Sequence, residues 1–454
     1  MTREQPSVAP LRLLALGLGL FGIFPLAAVL KYAPVVAWLP AAARQWAITT
    51  PLVIGACLAF ALVSGARADR FIERLRAVLL SMPGRDFAAW AALVTLLLSL
   101  IVGWYMTRWL PVAGDELTQR FQATLLLHGR VTAVAEPHPE FVGGVQTGVH
   151  DGRWFGQFPI GGPILLAMGM AISAPWLINP LLAAWTTHSL YRFASRTTDE
   201  TTARAATLLF AFSPFVVIVS GTQENQAGAL AFLMFALSML PAWAESEDSP
   251  TVNRAAGWIG LSIAAAAAIR PYDAALIGFV VGVFQLHALR RGPIRARSLK
   301  WEFLAGLAVV ALLLVANWRS TGNPLLFGYD AVNGARHRPG FHLDPIGNQF
   351  SLFQGLHHTS VYLIRMNVSL FIGPIPGLLF VLVPLVFART ATRWDLLAAA
   401  IIAAIAVGYA AYWAESFLFT TPRFLYSALP MFLLFAARAP AVLLERTRSL
   451  ILRR

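Results

Sequence analysis

Over 454 residues, 57% of the chain is hydrophobic and only 13% charged, with a mean hydropathy of +0.65, which excludes an ordinary soluble globular protein and implies a polytopic membrane protein. The net charge of +13 does not point to nucleic acid, because the basic residues form short clusters between apolar spans and no continuous basic face. The single cysteine, Cys57, falls mid-span; it excludes an internal disulfide and a thiolate metal centre and reads as a small core residue.

With about 1.5 Å of rise per residue and about 30 Å of hydrocarbon, a helix needs roughly 20 apolar residues to cross. Twelve stretches qualify, so the expected fold is all-α and polytopic with about 12 transmembrane helices: 13–30, 46–66, 87–108, 177–193, 204–222, 226–244, 254–269, 273–289, 302–318, 364–388, 395–414 and 423–444. The first could also be a secretory signal, although Lys31 follows it and no cleavage site lies at the right distance. A cytoplasmic N-terminus puts 22 basic residues inside and 11 outside, leaving Arg365 and Arg438 within spans. The positive-inside bias therefore predicts both termini in the cytoplasm, with 446–454 as a basic tail.

This topology leaves two long outer loops, 111–158 and 320–360. Loops of that length in a compact protein are functional or disordered, and the helical spacing of Leu117, Phe121 and Leu125 predicts order and interfacial helices. Asp115-Glu116 opens the first loop, just beyond a span without charge from Phe87 to Thr107. Carboxylates beside a bilayer are costly to desolvate and mark a site or a pathway. The structural alternative is that Asp115 N-caps a surface helix, with Glu116 in its first turn.

The stretch from Trp154 to Tyr191 has no charge over 38 residues and is broken by Pro159, Pro163, Pro175 and Pro180. It is too long for one helix and too short for two with a loop, so its first half reads as a re-entrant or interfacial helix covering a cavity. Seven glycines between Gly143 and Gly162 permit tight turns and close approach to a ligand, or simply a flexible connector. Seven of the nine histidines lie in the two outer loops: His128, His138, His150, His337, His342, His357 and His358. His357 and His358 would diverge by about 100° on a helix, so no chelating pair is read and no metal site is assigned.

Gly114-Asp115-Glu116, Phe121-Gln122-Ala123, Leu125-Leu126-Leu127-His128-Gly129 and Phe158-Pro159-Ile160-Gly161-Gly162-Pro163 together resemble the first outer loop of GT-C superfamily membrane glycosyltransferases. The nearest look is to the family 39 type, the bacterial relatives of protein O-mannosyltransferases and lipid A aminoarabinose transferases. Arg270-Pro271-Tyr272-Asp273, Thr321-Gly322-Asn323-Pro324 and Pro422-Arg423-Phe424 add to the resemblance, which spans roughly 87–440. Pro-Ile-Gly-Gly-Pro stands where many relatives have Pro-Pro-Gly-x-Pro. The expected organisation is two additional N-terminal helices in 1–85, a GT-C-like domain in 86–445 and the tail.

The resemblance implies inverting transfer from a polyprenyl-phosphate-linked sugar on the non-cytoplasmic side of a bacterial inner membrane, to a lipid, glycan or protein acceptor. Asp115 matches the family's catalytic aspartate and would accept the acceptor's proton. Glu116, placed with it in the catalytic motif, points about 100° away if the turn is helical and suits orientation or loop structure. A phosphate leaving group needs positive charge more than an acid, so Arg270, His337, Arg338 and Arg423 are the candidate donor-phosphate ligands. Each could equally be an interfacial residue bound to lipid headgroups. Glu224 and Trp154 are candidate sugar or acceptor contacts, with a solvated loop as the alternative for Glu224. Tryptophans near span ends, such as Trp46, Trp109 and Trp413, read as interface anchors first. No cofactor is required by the sequence, and a divalent metal is left open. The competing function is a transporter or flippase of lipid-linked sugars, which predicts charges at the midplane and symmetric halves; no strong repeat is present.

Overall fold

The structure, a computed structural model, describes residues 7–23, 39–64, 66–138, 146–371, 373, 375–419 and 421–451. The chain enters through α1 (Ala9–Leu18), followed by a π-helical turn, Gly19–Ile23. Then come α2 (Leu39–Ser64), α3 (Ala66–Ser81), α4 (Gly84–Thr107) and α5 (Gly114–Leu127). Three short strands follow, β1 (Ala133–Val134), β2 (Thr147–His150) and β3 (Arg153–Gly156), with β3 antiparallel between the other two. After α6 (Gly161–Ala171) run α7 (Ile178–Thr197), α8 (Glu200–Ala211), α9 (Pro214–Ser220), α10 (Gln226–Glu245), α11 (Ser249–Ala267), α12 (Pro271–Ala288) and α13 (Pro293–Thr321). The chain closes with α14 (Gly328–Asn333), α15 (Leu352–Ser369), α16 (Gly377–Phe387), α17 (Arg393–Ala410) and α18 (Leu429–Ile451).

This is an all-α polytopic membrane architecture with one small sheet, which the sequence reading did not contain. Among the described residues, six helices are long and apolar enough to cross a bilayer: α4, α10, α12, α13, α17 and the segment Arg423–Glu445. A seventh arises if α8 and α9, bent by 49° at their junction, count as one span. The expected stretch 364–388 is not one helix; α15 ends at Ser369 and α16 begins at Gly377, after Gly373-Pro374-Ile375-Pro376. Prolines lack the N–H that would carry the helix through. The second half of the expected 13–30 span lies outside the described residues.

α6 has eleven residues, about 16 Å at 1.5 Å each, too short to cross, and it packs on α5. The second outer segment is shorter than expected. α15 already starts at Leu352, where Ser351 and Gln354 cap it reciprocally, so His357 and His358 sit on a helix and His357 is buried.

Small side chains fix how closely the helices approach. On α4, Ala88, Ala91, Thr95, Ser99, Gly103 and Thr107 recur at three- and four-residue spacing and are buried, while Leu93, Leu97 and Ile101 face outward. That stripe lets α7 pack tightly, and Thr95 and Thr187 share a 2.8 Å hydroxyl hydrogen bond across it. Gly103 meets Gly221 backbone to backbone; a Cβ at Gly103 would stand 2.5 Å from the Gly221 carbonyl oxygen. α1 is packed into the bundle, with Leu11, Ala15 and Leu18 in the core and Asn367 donating to the Gly22 carbonyl at 2.9 Å. Cys57 is exposed on α2, so it is not the core residue its mid-span position suggested; the composition cannot distinguish a core face from an outer face.

Candidate active site

α4 ends in two non-glycine residues with left-handed backbone, Arg108 (φ 53°) and Trp109 (φ 60°). Each such conformation costs on the order of 1 kcal/mol or more, so the surroundings must hold it. They do: Trp109 stacks on Trp176 at 4.2 Å, its indole donates to the Leu100 carbonyl at 3.0 Å, and Gln223 donates to its carbonyl at 3.0 Å. The turn delivers the chain into α5 with Ala113 at the cap, Asp115 second in the helix and Glu116 third. The cap is therefore not Asp115, as the structural alternative had it. Glu116 reaches back instead, accepting from the Val112 and Ala113 N–H groups at 2.5 and 3.4 Å and from Gln223 N–H at 3.1 Å. Burial pushes the Glu116 carboxyl up, and those backbone donors oppose the shift. Glu116 is fully buried, with both carboxylate oxygens turned to backbone donors and not to the cavity.

Asp115 turns the other way, into a cavity of about 770 Å³. Gln146 donates to its Oδ1 at 2.5 Å, and the Arg423 guanidinium meets its Oδ2 at 2.9 Å. Arg423 opens the 3-10 turn Arg423–Ala428, held through its Nε by the Ser416 hydroxyl. The same Nη1 that meets Asp115 lies 2.9 Å from Glu224 Oε1. Glu224 is not a solvated loop residue: its side chain is 0% exposed, and Asn179 fixes its turn by donating to the Thr222 and Glu224 carbonyls at 2.7 and 2.6 Å. Burial pushes its carboxyl up to about 8, against the pull of Arg423.

Arg270, at the junction of α11 and α12, also faces the cavity. It donates to Asp273 at 2.5 Å, Asn225 at 3.1 Å and the Tyr409 hydroxyl at 2.9 Å, and Tyr409 donates to the same Asp273 oxygen at 2.9 Å. With its amide oriented to satisfy both neighbours, Gln226 donates to Glu224 at 3.2 Å and accepts from Arg270 at 3.3 Å. The charges thus alternate through one buried network from Asp115 to Asp273. Gly161 fixes the floor: its N–H donates to the Ala268 carbonyl at 2.7 Å, two residues before Arg270, and a Cβ there would stand 2.7 Å from that oxygen.

Of the expected residues, Asp115, Arg270, His337, Arg338 and Arg423 all line this cavity, and Glu224 supports it from behind. Arg338 pairs with Asp330 at 2.8 Å and is 59% exposed, the loosest of the three guanidiniums. His337 stacks on Tyr329 and shares a 2.9 Å hydrogen bond with the Tyr412 hydroxyl; burial pulls its imidazole below the ordinary value, against the opposing charge of Asp330. Trp154 is not a lining residue; it lies on β3 with its ring 4.5 Å from Phe121. Sequence reasoning missed Gln146, which sits in the glycine run without a recognisable motif, and the wall of Tyr329, Tyr409, Tyr412 and Trp413. Trp413 read as an interface anchor because an aromatic at a span end fits both roles. Among the described residues no group of three or more His, Cys, Asp or Glu side chains is placed to hold a metal ion.

No protein-family model matches the sequence, and no curated protein matches it. Among solved structures the chain is similar to ArnT from Cupriavidus metallidurans bound to undecaprenyl phosphate, with a TM-score of 0.55, 15% identity, and coverage of 78% of this chain and 59% of that one. The chain shares the membrane-protein fold of that structure. It spans a little over half the length of the ArnT chain that it matches. The Archaeoglobus fulgidus oligosaccharyltransferase in its apo form also aligns, at a TM-score of 0.46 and 13% identity over 82% of this chain and 52% of that one. The archaeal oligosaccharyltransferase AglB, in complex with an inhibitory peptide and a dolichol-phosphate, aligns at 0.44 and 14% over 81% and 51%. Asp115 lies at the start of the first helix after α4, and the arginines come from three later junctions.

Proposed function

We propose that this GT-C chain is an inverting membrane glycosyltransferase, moving a sugar from a polyprenyl-phosphate carrier to an acceptor hydroxyl or amine on the non-cytoplasmic face. The observation that carries the reading is Asp115, a carboxylate gripped by Gln146 and Arg423 at the wall of a cavity that also presents Arg270 and Arg338. The ArnT structure with undecaprenyl phosphate supports a carrier of that chemistry, and the two-to-one excess of basic residues on the other side supports the facing.

In this reading the acceptor heteroatom attacks the anomeric carbon while Asp115 takes its proton. The bond from that carbon to the phosphate oxygen breaks on the opposite side, its electron pair leaving with the phosphate, so the configuration inverts. The leaving phosphate needs charge stabilisation and no proton. Arg423 keeps its Nη2 protons uncommitted among the described residues, and Arg338 is loosely held by Asp330, so both can turn donors toward phosphate oxygens. Glu116 keeps α5 in register so that Asp115 is aimed.

The test is reconstitution of the full chain with a panel of polyprenyl-phosphate sugars, measuring release of the lipid phosphate and transfer of the sugar. Movement of the intact donor across the bilayer without cleavage would replace the enzyme by a flippase. An Asp115→Cys variant lacking Cys57 should react with an impermeant thiol reagent from outside; protection there would overturn the topology.

A further inference from the structure

We propose that Glu224 is a positioning residue that sets how firmly Arg423 holds Asp115, and through it the strength of Asp115 as a base. The inference rests on the reading of Asp115 as the proton acceptor and adds a control to it. Its warrant is a shared atom. One nitrogen, Arg423 Nη1, stands 2.9 Å from Asp115 Oδ2 and 2.9 Å from Glu224 Oε1, while the Nε is committed to Ser416. Nη1 carries two N–H groups, so a single guanidinium charge faces both carboxyls at once and couples their ionisation.

The two carboxyls are not equivalent. Asp115 lines the cavity with its side chain 17% exposed, whereas Glu224 is 0% exposed. Desolvation penalises the charged form, so fully buried Glu224 holds its proton longer than an ordinary carboxyl. The direction is reinforced by what faces Glu224: Asp115 and Glu116 from α5 oppose its ionisation, while Arg423 from the turn before α18 and Arg270 from the start of α12 favour it. The balance leaves the Glu224 carboxyl pushed up to about 8.

Two states follow. With Glu224 protonated, Arg423 commits its charge to Asp115, which is well held and weakly basic. With Glu224 ionised, a second negative charge sits behind the guanidinium and offsets part of its pull on Asp115, so Asp115 becomes the stronger base. Arg423 need not move for this to happen, since both oxygens are already within reach.

The experiment uses the full chain in nanodiscs. Infrared difference spectra from pH 6 to 9.5 should show a protonated buried carboxyl band that disappears with an apparent midpoint near 8, absent in Glu224→Gln and retained in Asp115→Asn and Glu116→Gln. In the transfer assay, wild-type kcat should rise by about threefold or more across the same range, as Brønsted behaviour requires for roughly a unit of basicity. Glu224→Gln should stay on the low-pH plateau, and Glu224→Asp should restore the rise. A merely structural Glu224 would lower the rate at every pH without removing the step. A missing band in wild type, or a band or step surviving in Glu224→Gln, overturns the inference. If Asp115→Asn keeps full transfer, the base assignment fails instead. The wild-type spectrum decides the matter even if Glu224→Gln does not fold.

Discussion

Asp115 and Glu116 are chain neighbours on α5 that face opposite worlds: Asp115 opens onto the cavity, and Glu116 is fully buried with three backbone N–H groups on its two oxygens. A carboxylate can satisfy all three donors, whereas the single oxygen of an amide cannot. Glu116→Gln should therefore destabilise the fold by about 1–3 kcal/mol. Thermal unfolding in detergent checks it, and the residual activity at a fixed pH should track the folded fraction.

Arg423 has the opposite signature, because its removal strands a fully buried neighbour. At pH 9, above the Glu224 step near 8, Arg423→Gln should cost about 3–5 kcal/mol, the usual range for leaving one member of a buried ion pair unpaired. The double variant Arg423→Gln/Glu224→Gln should recover stability without recovering transfer. Equal stability of the single and double variants would mean that Glu224 is already neutral without its partner.

Gly161 is a packing test of the site's floor. A Cβ there would press on the Ala268 carbonyl at 2.7 Å, so Gly161→Ala must part α6 from the end of α11. Overpacking of this kind costs about 1–3 kcal/mol. Because Arg270 lies two residues beyond Ala268, kcat should also fall, which a distant glycine substitution of similar cost would not produce.

His337 sets a pH dependence. Its imidazole is held below the ordinary 6.5, so below that pH the unfolded chain binds the proton more readily than the folded one. The contribution of neutral His337 is thus fully present above 6.5 and is lost as pH falls below it. Melting temperatures measured from pH 8 to 5 should drop on the acid side, and His337→Asn should flatten that drop.

Much of this molecule was legible in its sequence because hydropathy and charge bias read directly on a bilayer: the uncharged run before Asp115 locates α4, and the proline-broken stretch after Trp154 locates the short α6. The motifs and the outer-loop assignment also singled out Asp115, Arg270, Arg338 and Arg423, which lie in four separate junctions and meet at one cavity. What stayed hidden depends on three-dimensional neighbours. The burial of Glu224 is set by Asn179 and Arg423, both distant in sequence, and no local pattern marks Gln146 as the partner of Asp115. The break at Gly373-Pro374-Ile375-Pro376 was visible as composition but was outweighed by the apolar length around it. Cys57 shows the converse, since an apolar span does not reveal which of its faces is packed.

The central claim is that Asp115 is the base of a polyprenyl-phosphate sugar transferase. The most direct measurement is transfer by reconstituted Asp115→Asn beside wild type, with a donor that wild type accepts. The amide keeps the size and can still bond Gln146, but it cannot take the proton. Transfer should fall by at least about a hundredfold while the melting temperature stays close to that of wild type. Full transfer by the Asn variant would contradict the account.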